Sequence, residues 1–220
     1  MKRVFVVCEG ETEEKFIKDV FAPYFNQQEI AITPLLVNQR GGALSYDRVK
    51  DFILKFIKRD TTAYITTMFD YYALDTNFPG YNHLNSNWNI YQKVTYLEAE
   101  FKNDINLVFP NDRFFPHIQP HEFESLLFSD INEIVKADPD WDKKATLISS
   151  LSKIVNDYPN PEEINNSPNT SPSHRLAQIL NLPKYRKVLH GTAIAKNIGI
   201  ENIRQKCRHF GEWCSSPLFQ

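Results

Sequence analysis

The sequence predicts an α/β fold in which a mainly parallel sheet is covered by helices on both faces. Two observations carry this. Runs rich in β-branched and aromatic residues recur at Lys2 to Glu9, Ala31 to Val37, Thr62 to Phe69 and Phe114 to Gln119. Segments of helical periodicity separate them, so the order strand–helix repeats along the chain, as in a parallel sheet with crossover helices.

Lys2 to Glu9 (KRVFVVCE) suits a buried strand, which Gly10 breaks. Thr12 is placed to cap the following helix, whose apolar positions are Phe16, Ile17, Val20 and Phe21, with Pro23 ending it. Gln39-Arg40-Gly41-Gly42 reads as a loop. Ser45 precedes an amphipathic helix with Val49, Phe52, Ile53, Phe56 and Ile57 on one face. The third strand runs into Asp70. Tyr71 to Asn87 reads as a long loop, and such loops are often functional. Trp88 to Asn103 is helical, with Val94, Leu97 and Phe101 inward. The fourth strand holds an internal proline, which places it near an edge. Helices follow at His121 to Phe128 and Asp142 to Asp157, and Tyr158 to Pro172, rich in Pro and Asn, reads as a linker or mobile loop. Residues 1–140 form the expected α/β core, and 141–220 a helical C-terminal segment packing on it as one compact unit.

The chain has 220 residues, 42% hydrophobic and 24% charged, which allows one sizeable core. A formal net charge of −2 excludes a uniformly basic nucleic-acid clamp. No apolar run is long enough to span a bilayer and no signal peptide is read, so a cytoplasmic protein is expected. Three cysteines without CxxC spacing point to a reducing compartment and no structural zinc. Charge is uneven. Between His174 and His209 stand eight basic residues and one acid, net +7, which leaves −9 for the rest. An acidic body beside a basic segment fits a metal site next to a phosphate-binding surface, and equally a solvated helical face.

Ligands of parallel sheets sit beyond the carboxyl ends of the strands. Glu9 and Asp70 both fall there, on different strands. Glu9-Gly10-Glu11-Thr12-Glu13-Glu14 crowds four carboxylates around one turn, with Glu13 in the first helical turn. Two carboxylates about 5 Å apart repel by roughly 3 kcal/mol at an effective dielectric near 20. A divalent cation reverses that balance, and oxygen ligands select Mg²⁺, Mn²⁺ or Ca²⁺. Glu11 and Glu14 are better read as partners of the helix dipole. His121-Glu122-Phe123-Glu124 brings two further acids to the same edge. Two apart on a helix, they do not both face one ion, and Glu124 is favoured with Glu122 in competition. Asp75 and Asp130 read as turn or cap residues.

The Glu9-Gly10 turn with Glu13, and a later strand ending in Asp70, resemble the Toprim domain of topoisomerases, primases and OLD-type nucleases. The strings VCEGETEEKF, TTMFDYYALDTNFPGY, HEFESLLFSD, SPSHRL, YRKVLHG, IAxxIGIxxIR and HFxxW resemble the bacterial domain-of-unknown-function 4276 family over nearly the whole chain, Lys2 to about Trp213. The resemblance implies a Toprim-like fold and a role in phage defence, often beside an ATPase partner. The sequence departs from the Toprim pattern in one place. Asp-x-Asp is expected after the third strand, and Asp70-Tyr71-Tyr72 stands there, so a glutamate of 122–124 replaces the second aspartate or the site is weakened. Lys187 is the candidate for the lysine that Toprim nucleases place at the scissile phosphate.

Expected, then, is a metal-dependent nuclease acting on DNA or RNA. Glu9, Glu13 and Asp70, with Glu122 or Glu124, hold one or two Mg²⁺ or Mn²⁺ ions. Glu122 or Glu124 alternatively serves as general base. Lys187, Arg175, His190 and Arg40 are candidates for phosphate contact. Tyr71, Tyr72, Phe78 and Tyr81 are candidates for base stacking or loop core. The competing expectation is a catalytically weak binding or regulatory subunit of an ATPase-containing complex. A receiver-like phosphoacceptor lacks its fifth strand ending in lysine. A haloacid dehalogenase needs Asp-x-Asp at the first strand. A serine hydrolase needs GxSxG, and Cys8 lies inside a strand.

Overall fold

The computed structural model describes residues 1–37, 45–141, 144–164, 167 and 169–220. Its centre is a parallel sheet in the order β2-β1-β3-β4, built from Lys2–Cys8 (β1), Ile30–Leu36 (β2), Tyr64–Asp70 (β3) and Phe114–Phe115 (β4). Ile118–Gln119 (β5) pairs the carboxyl end of β3, with Phe69 opposite Ile118 and Asp70 opposite Gln119. The single fourth strand expected over 114–119 is therefore split in two. Pro116 has no amide to give a ladder. The Thr67 hydroxyl takes over, accepting from the His117 amide at 2.9 Å and donating to its carbonyl at 2.8 Å.

Alternation along the central strands feeds two cores. Val4, Val6, Cys8 and Met68 pack on one face. Against them lie Glu11–Phe16 (α1), a π turn Ile17–Phe21, Ala22–Asn26 (α2) and the C-terminal helices. Val7, Ile65 and Phe69 pack on the other face, under Tyr46–Arg59 (α3) and Ile90–Val108 (α4). The helix after β1 does not stop at Pro23. The π turn just upstream accommodates the missing amide, and the chain stays helical to Asn26. Nor does Thr12 cap it. Gly10 is the N-cap, and the Glu13 carboxylate reaches back to accept from the Gly10 amide at 3.0 Å. Asn89 and Gln92 cap α4 reciprocally, and the helix runs past Asn103 to Val108.

The chain reverses after β5 at His121, whose φ of +61° lies in the left-handed region. A 3₁₀ turn, Phe123–Ser129, replaces the α-helix expected over 121–128. Beyond it come Ile131–Lys136 (α5), Lys144–Val155 (α6) and Pro172–Ile179 (α7). A second π turn, Lys187–Gly191, leads into Thr192–Ile198 (α8), Ile200–Lys206 (α9) and Arg208–Cys214 (α10). The segment read as a linker is anchored where it is described. Glu162, fully buried, accepts from the amides of His209 and Phe210 and from Nε2 of Gln119, and so caps α10. Phe78 is buried in the second core with Tyr71 and Tyr81 packed against it, whereas Tyr72 is exposed. Asp75 accepts from the Tyr46 amide at the start of α3, and Asp130 caps α5.

α9 and α10 meet closely at Gly211, where a Cβ would stand 2.3 Å from the Arg204 carbonyl oxygen. Gly→Ala inside a helix ordinarily stabilises. Here Gly211→Ala should instead cost about 1–3 kcal/mol in urea unfolding, because backbone has to move.

Candidate metal centre

Glu9 follows β1 directly, and Asp70 ends β3. Parallel pairing of Cys8 with Met68 sets these two ends side by side. An Oε2 of Glu9 accepts from the Asp70 amide at 3.2 Å. The Asp70 carboxylate in turn accepts from the Phe123 amide at 2.8 Å, while the Phe123 ring packs 5.1 Å from that of Phe16 on α1. That pair of contacts docks the 122–124 turn onto the site. Glu122 is extended (φ −143°, ψ 154°) and Glu124 lies within the turn. The helical argument that only one of them reaches the cluster does not apply here. Glu124 is buried, with Nζ of Lys187 3.3 Å from its Oε1. The Glu122 carboxylate is pinned by the amide and hydroxyl of Ser173, both at 2.9 Å.

These groups lie within electrostatic reach of one another. Burial pushes Glu13 up to about 7, with Glu9 adding repulsion. Burial likewise pushes Glu124 up to about 7, with Glu122 and Glu13 adding. Asp70 is raised well above the carboxylate range by burial and by Glu13, Glu9 and Glu124. Glu9 is raised by burial and by Glu124 and Glu122, although the Asp70 amide opposes the shift. Lys187 is the cation that lowers all four. Burial pulls Lys187 down, but Glu124, Glu122 and Asp70 outweigh it and hold its pKa above the usual value.

A divalent ion fits these residues. The donors are carboxylate oxygens, which suit Mg²⁺ or Mn²⁺. One buried atom beside them, the Tyr185 hydroxyl, has no hydrogen-bond partner. Among the described residues no three of these carboxylates bring oxygens within 4.8 Å of one another. An ion bound here would have to draw them together.

Residues 8–216 match the family described as "Domain of unknown function (DUF4276)". The chain belongs to the DUF4276 family. The match spans every member of the acidic cluster. No curated protein and no solved structure matches the chain. Among the described residues of this DUF4276 chain, no helix is long and apolar enough to cross a membrane.

The remaining site candidates of the DUF4276 chain fall elsewhere or are spent on other contacts. Arg175 gives its Nε to the Thr170 carbonyl at 2.7 Å and packs over the Tyr158 ring. His190 is buried. Its Nδ1 accepts from the Arg186 amide and its Nε2 lies 3.2 Å from Asp138, outside the acidic cluster. Arg40, with Gly41 and Gly42, lies outside the described residues. Cys8 is buried in β1, its thiol pushed well up by burial and by Glu13 and Glu14, which removes it as a nucleophile.

Sequence reading missed Tyr185. Its hydroxyl is buried, and burial together with Glu124, Glu122 and Glu13 raises its pKa well above the usual value. Gly191 makes room for it, since a Cβ there would stand 3.1 Å from the hydroxyl and 3.2 Å from the Phe123 ring. The available signal was position, two residues before Lys187 in YRKVLHG.

Proposed function

We propose that this chain is a divalent-metal-dependent nuclease that hydrolyses phosphodiester bonds of DNA or RNA, with a Toprim-like core. The observation that supports it best is the crowding of half-buried Glu9 and Asp70 with buried Glu13 and Glu124 at one sheet edge, with Lys187 as the cation that faces them among the described residues. So many crowded carboxyls, with one facing cation among the described residues, cannot all ionise without a further positive charge. Glu9, Glu13 and Asp70 would hold one Mg²⁺ or Mn²⁺, and Glu122 or Glu124 would hold a second. When bound, the ion polarises the phosphodiester and acidifies a water. Glu122 or Glu124, whichever is not taken up by an ion, accepts the proton of the attacking water. Lys187, half-exposed at the rim, neutralises a non-bridging phosphate oxygen. A role in bacterial phage defence beside an ATPase partner rests on the family resemblance.

The test is cleavage of labelled single- and double-stranded DNA and RNA with Mg²⁺ or Mn²⁺, against the same reactions in EDTA. Lys187→Met should lower kcat by about 10²-fold or more. It should also tighten metal binding, because the site loses its competing cation. Cleavage that persists in EDTA would refute the reading. Tyr72, exposed where the Toprim pattern has a second aspartate, favours one alternative, a metal-binding regulatory subunit. Tight metal binding with no cleavage of any substrate, alone or with the ATPase, would select it.

A further inference from the structure

Glu98 on α4, His117 between β4 and β5, and His209 on α10 are far apart in sequence and share no side chain with the acidic cluster. One potential ligand atom from each lies within 4.8 Å of the others. Oε1 of Glu98 stands 2.8 Å from Nε2 of His209 and 3.7 Å from Nδ1 of His117. Together with Lys102, Glu212 and Trp213 they line a cavity of about 330 Å³, which gives a route in from solvent.

The hydrogen bonds around His117 favour one tautomer. The Gln119 amide nitrogen faces two acceptors, the Glu162 carboxylate at 3.2 Å and the Ser125 hydroxyl at 3.3 Å. The Gln119 oxygen therefore points the other way, 3.4 Å from Nε2 of His117, and takes that nitrogen's hydrogen. Nδ1 is left with a lone pair, and what it faces is a carboxylate. A lone pair against an anion, with no hydrogen between them, is an unfavourable contact that a cation at that point reverses. Trp213 stacks 4.4 Å from the His117 ring and holds it in this orientation.

We propose that Glu98, His117 and His209 form a second metal centre that binds one zinc-class divalent transition ion. Two neutral imidazoles and one carboxylate are a ligand set that zinc accepts with a water in the fourth position. Metal–nitrogen distances are about 2.0–2.1 Å, and the His117 and His209 rings lie side by side, their centres 5.0 Å apart and their planes inclined by 20°. The surroundings are those of a metal histidine. Gln119 holds the far nitrogen of His117. The Ile118 amide, 2.7 Å from Oε1, orients Glu98. For the ion to enter, Nε2 of His209 gives up the hydrogen it shares with Glu98. The ring then keeps its hydrogen on Nδ1, which has no hydrogen-bond partner and lies 3.8 Å from Oε2 of Glu212. Cysteine spacing gives no hint of such a site, since its ligands are imidazoles brought together only by the fold. The bound ion ties α4, the β4–β5 connection and α10 together, and its binding energy adds to stability.

The test uses the whole chain, stripped with chelator, in excess Mg²⁺ to fill the acidic cluster, with one equivalent of Zn²⁺. X-ray absorption should show two imidazoles and oxygen around zinc. Zn²⁺ should raise the melting temperature of the wild type and of Asp70→Asn alike. Glu98→Gln and His209→Gln should each weaken zinc by about 100-fold or more and lose that rise. No zinc uptake by the wild type, a zinc shell without imidazole, or unchanged affinity in Glu98→Gln would each overturn the proposal. The absorption measurement needs no variant, so it decides the matter even if a substituted chain fails to fold.

Discussion

Asp70→Asn should reduce metal-dependent cleavage by on the order of 10³-fold and weaken Mg²⁺ or Mn²⁺ binding, with the fold unchanged. The change is close to isosteric. The retained side-chain oxygen still accepts from the Phe123 amide, so the 122–124 turn stays docked. What is lost is the charge at the centre of the cluster, on the group that faces Glu13, Glu9 and Glu124 together. Initial rates at saturating metal and calorimetric metal titration read the two effects separately. A variant that cleaves within about threefold of wild type would remove Asp70 from the chemistry, and with it the proposed site.

The positions of Glu9 and Asp70 were legible because each ends a run whose residue types make a strand. Neighbouring parallel strands bring such ends to one edge. The local geometry around them was less legible. An N-cap serine or threonine is the usual helix signal, but Gly10 enters the helix extended (φ −145°, ψ −175°), with Glu13 as its hydrogen-bond acceptor, so Thr12 misled. Choosing between Glu122 and Glu124 assumed α-helical spacing, whereas the turn begins at Phe123 and leaves Glu122 extended before it, its carboxylate on Ser173. Lys187 could be named from charge and motif, but the partner that places it, Glu124, comes from a remote segment. Tyr185 and the Glu98–His117–His209 group carry no periodicity at all. They are assembled by tertiary contacts alone, such as the Trp213 indole donating to Thr66 across 147 residues.

Stability without metal should depend on pH in a way that exposes the cluster, and Glu124→Gln reads it. In the metal-free fold the Glu124 carboxyl keeps its proton up to about 7, whereas an unfolded chain releases it near the ordinary 4.5. Between those values the unfolded state binds fewer protons, so the wild type loses stability as pH rises, by about 3 kcal/mol for this one group. Glutamine has no such titration. Stability of Glu124→Gln relative to wild type in EDTA should be near zero at pH 4.5. By pH 8 it should favour the variant by about 3 kcal/mol, or roughly 6–12 °C in melting temperature. Comparing variant with wild type cancels the buried His117 and His121, whose depressed pKa values act in the opposite direction below about 6.5. Saturating Mn²⁺ at pH 8 should then reverse the order, because the ion stabilises the ionised wild-type cluster and gains less from the amide. A difference that ignores both pH and metal would mean that Glu124 is a buried carboxyl serving the fold alone. A sign that changes on adding the ion is what a metal ligand, held at a cost to the metal-free fold, requires.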